Sequence, residues 1–212
     1  MKLFFSVLLF SVTLTAFSQE TNKQIYKSDD FKSVIPSHKI VAILPFEVNV
    51  TYKRPPKNYD AEQEKKEEVA LGINLQSEMF TYLLRKRDNY TVSFQDVDKT
   101  NTLLRSIGVF EKINEVTVDS LAKILKVDAV IKCNYAYTKT ASEGGAIAKA
   151  ILFGGLGSKT ATGELIMSIK NGSNGDLIWR FSKKMDEGVF SSANQLMERM
   201  MRKISRNFPY EK

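Results

Sequence analysis

Within residues 121–138 the chain changes its period. Leu121, Ile124 and Leu125 share one face of a short amphipathic helix. After Lys126-Val127-Asp128 the apolar residues fall on odd positions: Ala129, Ile131, Cys133, Tyr135 and Tyr137. Lys132, Asn134 and Thr138 are among the even positions. A period of two with one apolar side predicts a half-buried strand. Upstream, Ile40 to Leu44 are apolar without alternation. That is the pattern of a strand covered on both faces, typically a central parallel one, and Pro45 ends its ladder because it has no N–H to donate.

Residues 48–68 are strongly polar, with a stiff basic loop at 53–57. A charged helix opens over 62–68. Its apolar residues Leu71, Leu75, Met79 and Leu83 keep one face toward a core, and Arg85-Lys86-Arg87 close it where cations suit a helix C-terminus. Tyr90, Val92 and Phe94 alternate with polar residues, giving a second strand. Strand, crossover helix and strand form a right-handed parallel unit. Asp98 is expected to cap a helix over 99–107 that Gly108 ends, and Thr117 to cap the next. Residues 164–171 and 177–183 read as strands. Between them Asn171-Gly172-Ser173-Asn174-Gly175-Asp176 is dense in residues that tolerate positive φ, the mark of a hairpin. A closing helix, capped by Ser191 or Ser192, aligns Leu196, Met197, Met200, Met201 and Ile204.

The element order β α β α α β β β α predicts an α/β (α+β) domain. We expect a mixed five-stranded sheet in order 2-1-3-4-5: three parallel strands plus an antiparallel C-terminal hairpin, with helices packed mainly on one face.

The first residues change the picture of location. Lys2 precedes an apolar run that continues to about Leu14, and Ala16-Phe17-Ser18 places small residues where a signal peptidase reads. The run is shorter than the roughly 20 residues a membrane span needs. Residues 1–18 are therefore expected to be a signal peptide, 19–38 a flexible leader or an edge-lying arm, and 39–212 a single domain. The mature chain should begin at Gln19, and mass spectrometry of native material showing Met1 or a lipid adduct would refute this. The only cysteine, Cys133, excludes an internal disulfide and is expected to be a small buried hydrophobe. This usage suits the periplasm or outer-membrane periphery of a Gram-negative bacterium. The formal charge of +7 and a pI near 9.3 favour anionic surfaces. Export argues against a nucleic-acid partner.

Candidate chemistry is sparse. His38 is the only histidine, so Ser–His, Cys–His and multi-histidine metal arrangements are unavailable. It sits beside a loop proline and is expected to be solvated. Asp96 and Asp98 follow a strand and read as a turn and a cap. Residues 154–160 look like a phosphate loop, but Ser158 stands where the motif needs glycine before Lys159. No catalytic residue, metal or cofactor is expected. Two stretches could carry function. Residues 143–158 frame a short apolar run with glycines and offer a docking flap through Ala146, Ile147, Ile151, Leu152 and Phe153. The even positions of the last three strands offer a partner-binding face: Lys132, Asn134, Ser168, Lys170 and Arg180, with Glu164 and Ser182.

Three segments carry a family resemblance: Ile43-Leu44-Pro45-Phe46, Leu125-Lys126-Val127-Asp128-Ala129 and Asp176-Leu177-Ile178-Trp179. Together with the order of elements they resemble the periplasmic α/β domain of the TolB amino-terminal type. The chain is similar in the same way to curli-secretion lipoproteins and to lipoprotein activators of penicillin-binding proteins. The resemblance covers residues 39–208 and implies the fold and an envelope address. It departs from the lipoprotein branches in having no lipid-attachment cysteine, and from the curli channel in having only a short insert. The resulting expectation is an exported, non-enzymatic protein- or envelope-binding module with an envelope protein partner and a possible peripheral membrane contact. The alternative is an oligomerising secretion or membrane-associated subunit that uses residues 143–158. The sequence leaves the oligomeric state open.

Overall fold

The structure, a computed structural model, describes residues 23–53, 55, 57, 59–139, 161–185 and 193–212. The expected signal peptide, the flap residues Ala146, Ile147, Ile151, Leu152 and Phe153, and the caps Ser191 and Ser192 lie outside the described residues.

One mixed sheet organises the chain. Its strands are β1 (Lys23–Lys27), β2 (Ile40–Ile43), β3 (Glu47–Tyr52), β4 (Ser93–Phe94), β5 (Ala129–Lys139), β6 (Ala161–Asn171) and β7 (Leu177–Met185). The helices are α1 (Phe31–Val34), α2 (Ala61–Arg85), α3 (Val97–Ser106), α4 (Val118–Leu125) and α5 (Ala193–Ile204). β5 is the spine. It pairs in parallel with β2 and then with β3, and antiparallel with β6.

The five-stranded expectation is corrected. The sheet has seven strands in the order β1-β7-β6-β5-β2-β4, with β3 also paired to β5. The five expected strands lie along this path as β4-β2-β5-β6-β7, and the two added strands have separate causes. Pro45 does stop the β2 ladder, but the chain restarts beside β5 two residues later. β2 and β3 thus share one lane, with Ile43 opposite Ile131 and Glu47 opposite Asn134. Residues 23–38, expected as a flexible leader or an edge-lying arm, contain the edge strand β1, antiparallel to β7, then α1 and a 3-10 turn at Ile35–Ser37. Of the two sequence alternatives, the edge-lying arm describes residues 23–27.

Helices lie on both faces, which corrects the one-faced expectation. The odd positions of β5 form one core with Val41, Ile43, Trp179 and Phe181, beneath the apolar faces of α2 and α5. Ala42, Leu44 and Val130 point the other way, toward Leu104 of α3, Phe110, and Leu121 and Leu125 of α4. The uninterrupted apolar run of β2 follows from this, since both of its faces are covered.

Local signals set the joints. Asp60, in an extended conformation, accepts hydrogen bonds from Glu62 N and Gln63 N at the start of α2. Asp96, rather than Asp98, caps α3 by accepting from Lys99 N at 3.0 Å, so Asp98 falls inside the first turn. Lys126 adopts a left-handed conformation at φ 56° and turns α4 into β5. At the β2–β3 corner the backbone touches α2: Phe46 N donates to Gly72 O at 3.1 Å. A Cβ on Gly72 would lie 2.2 Å from Phe46 O, so only glycine permits this approach.

Candidate functional site

The side-chain alternation of β5, β6 and β7 gathers the five candidate face residues on one side of the sheet. Lys132 stands opposite Ser168, Ser168 opposite Arg180, and Arg180 opposite Tyr26. This row crosses four strands. With strands about 4.8 Å apart, Lys132 and Arg180 are roughly 10 Å from each other. Asn134 lies one row along, paired across the ladder with Ile166 and Glu47. Lys170 lies one row the other way, opposite Val130. Of the described helices, α3 and α4 reach this face together with the 3-10 turn Phe110–Glu115, and α4 also meets β6 and the turn after it.

The face is polar and partly ordered by its own hydrogen bonds. Asn134 Nδ2 donates to Glu47 Oε2 at 2.7 Å, and Ser182 Oγ donates to Glu164 Oε1 at 3.1 Å. Lys132 Nζ donates to Asn114 Oδ1 at 2.6 Å. Its partner is a neutral amide, and Lys132 has no ion pair among the described residues. Lys170 and Arg180 have no ion pair among the described residues. Lys184 extends the basic character at the Glu164 row. Tyr26 and Lys184 are additions that the sequence reading did not include in the candidate set.

A pocket of about 150 Å³ adjoins the face at Lys132. It lies where β2 ends, between the Pro45 corner, α2 and the 3-10 turn Phe110–Glu115. Crevices at the carboxyl ends of parallel strands are the usual ligand positions in open α/β sheets. Leu44, Phe46, Val48, Ile73 and Phe110 line its apolar wall, while Lys65, Glu68 and Lys132 border it. The sequence reading missed it because its walls come from four separate segments.

The single histidine and the single cysteine are both sequestered. Cys133 is fully buried, and burial pushes its thiol far above the usual range, so it is no thiolate nucleophile. His38 is 3 % exposed, which corrects the expectation of a solvated side chain. Its Nδ1 lies 2.9 Å from the Tyr210 hydroxyl, tying the segment before β2 to the C-terminal residues. Burial lowers its pKa below the ordinary 6.5. The Asn171 side chain and the Asp128 carboxylate oppose that shift. Among the described residues no cluster of three or more His, Cys, Asp or Glu could hold a metal ion, and no helix is long and apolar enough to cross a membrane.

The His38 shift has a definite sign. The folded state binds its proton less well than the unfolded state, so this contribution is complete above about pH 6.5 and is lost as pH falls through the lower, folded value. The urea midpoint should therefore start to drop as the pH falls below about 6.5, before most carboxylates protonate. The His38→Gln variant should show a flatter profile over that window. Parallel profiles would assign the slope to other groups.

No family model matches the chain, and no curated protein matches it. Among solved structures it is similar to the lipoprotein GNA1162 from Neisseria meningitidis, with 13% identity and a TM-score of 0.44 over 80% of this chain and 98% of that one. It is similar to PelC from Paraburkholderia phytofirmans, solved as a dodecamer, with 10% identity and a TM-score of 0.39 over 90% and 99% of the two chains. The LpoB C-terminal domain from Salmonella enterica gives 9% identity and a TM-score of 0.36 over 74% and 99%. At these identities and scores no family membership follows.

Proposed function

We propose that the chain is an exported, non-enzymatic module of the cell envelope that docks an anionic protein surface on the face of its sheet that carries Lys132, Ser168 and Arg180. The observation that carries this reading is the gathering of Lys132, Ser168 and Arg180 in one cross-strand row, flanked by Lys170 and Asn134. Lysine and arginine side chains without ion pairs on a rigid, hydrogen-bonded scaffold favour a partner rich in carboxylates, and such complementarity supplies specificity and association rate. The non-enzymatic part rests on chemistry. The single His and single Cys are buried, so nucleophile–base pairs that use either of them have no member available.

The test places a photo-reactive residue at position 168, in the middle of the row, and a control at Thr81 on the outer side of α2. In native envelopes position 168 should give a discrete protein adduct. That adduct should weaken at high salt and with Arg180→Glu, because exposed charge pairs are screened. Equal adducts from positions 168 and 81, or an adduct indifferent to Arg180→Glu, would overturn the reading.

A further inference from the structure

We infer that the pocket beside Lys132 receives one aromatic side chain from the acidic partner surface, with a neighbouring carboxylate of that partner seated on Lys132. This rests on the docking reading above and names its anchor.

Size and lining fit a ring. A void of about 150 Å³ lined by apolar side chains is large enough to hold a benzene ring, and this pocket has about that volume. Phe110 supplies an aromatic residue to the lining, where edge-to-face contact adds to burial. The Arg105 guanidinium lies 4.2 Å from the centre of the Phe110 ring and helps fix it.

The walls are built, not incidental. Phe46 N is bound to Gly72 O, and Gln76 Nε2 donates to Ile43 O at 2.7 Å, so the corner that shapes the pocket is tied to α2 on both sides of Pro45. A cavity held open by buried backbone hydrogen bonds needs little rearrangement to admit a guest, which lowers the cost of binding.

Lys65 and Lys132 border the mouth together with Glu47, Glu68 and Glu111, so a guest carboxylate is favoured only on the Lys132 side. Of the bordering carboxylates, Glu68 already accepts from Val50 N and pairs with Lys65, and Glu47 accepts from Asn134. Glu111 faces solvent. Lys132 is the bordering cation that meets only a neutral amide, and it opens onto the row with Ser168 and Arg180. An incoming carboxylate can replace or share the Asn114 contact at no loss of an existing ion pair. An aromatic residue beside an aspartate or glutamate therefore satisfies the pocket and its rim together. Buried aromatic anchors of this kind carry much of the energy of protein interfaces.

The experiment titrates the purified mature chain with acetyl-Asp-Phe-amide while following its methyl NMR signals. Saturable shifts are expected at Leu44, Val48 and Ile73. Acetyl-Asp-Ala-amide, lacking the ring, should bind at least about ten-fold more weakly, and acetyl-Asn-Phe-amide more weakly than the acidic probe. Val69, 39 % exposed at the pocket rim, can be replaced without opening the core. Val69→Trp should fill the cavity and abolish the shifts while leaving the urea midpoint near the parent value. Lys132→Gln should equalise the Asp and Asn probes. Equal binding of the Phe and Ala probes, or shifts that survive Val69→Trp, would overturn the pocket assignment. The two readings separate cleanly. Dipeptide binding without an adduct at position 168 sinks the sheet-face docking alone. An adduct at position 168 without dipeptide binding sinks the pocket alone.

Discussion

Trp179→Ala should lower stability by about 3–5 kcal/mol in urea unfolding, the cost typical of truncating a large aromatic in a core. The side chain is fully buried near the start of β7, between β6 and the edge strand β1, opposite Ile169 and Lys27. Its ring stacks on Phe181 at 6.1 Å and meets Phe208 edge-on at 6.3 Å. Alanine would leave a void bounded by β7 and the C-terminal residues, which cannot all close in. Trp179→Phe separates packing from polarity. The indole Nε1 is buried without a hydrogen-bond partner among the described residues, so phenylalanine removes an unsatisfied donor along with part of the ring. The Phe variant should therefore lose less than half of what alanine loses. A loss below about 1 kcal/mol for alanine would put position 179 at the surface and contradict the register of β7.

Gly72→Ala should destabilise the fold by roughly 1–3 kcal/mol, although a mid-helix Gly→Ala exchange ordinarily gains about 1 kcal/mol in helix propensity. The new Cβ would stand 2.2 Å from a backbone oxygen, that of Phe46, and a backbone atom cannot rotate aside as a side chain can. α2 must lift from the β2–β3 corner, breaking the Phe46–Gly72 hydrogen bond and deforming the pocket. Ala70→Gly, at an exposed position on the same helix, is the control and should cost only the propensity difference. A urea midpoint that rises for Gly72→Ala would show that propensity governs and that the close approach is not a constraint.

The parts of the fold legible in the sequence are those where burial imposes a period. Ala129 to Tyr137 alternate because one side of β5 meets the core, and each of the five odd positions is buried. Leu71, Leu75, Met79 and Leu83 repeat every four because α2 lies on that core. Asn171 to Asp176 mark the hairpin through backbone chemistry, and Gly175 takes φ 78° there. β1 left no such trace. All five of its residues are exposed, so main-chain bonds to β7 hold it and its side chains need no pattern. β3 does alternate, with Val48 and Val50 buried, but it follows a proline that ends one ladder before another begins. The candidate face was legible because alternation alone decides which residues share a side. The pocket was not, since Leu44, Ile73, Phe110 and Lys132 are distant in sequence and only the tertiary fold brings them together.

The spine strand also has a consequence for how the chain reaches this state. β5 pairs with β3 across a separation of 87 positions, as between Glu47 and Asn134, and the edge strand near one end of the chain pairs with β7 near the other. Only the β6–β7 hairpin is close in sequence at its turn. Loop-closure entropy must be spent on the long pairings before they return any stability, which makes such topologies slow to fold. The sheet cannot be completed until β7 is present, so a chain emerging from its N-terminus stays open through most of its length. If residues 1–18 act as the expected export signal, that delay would keep the chain threadable until the last strand arrives.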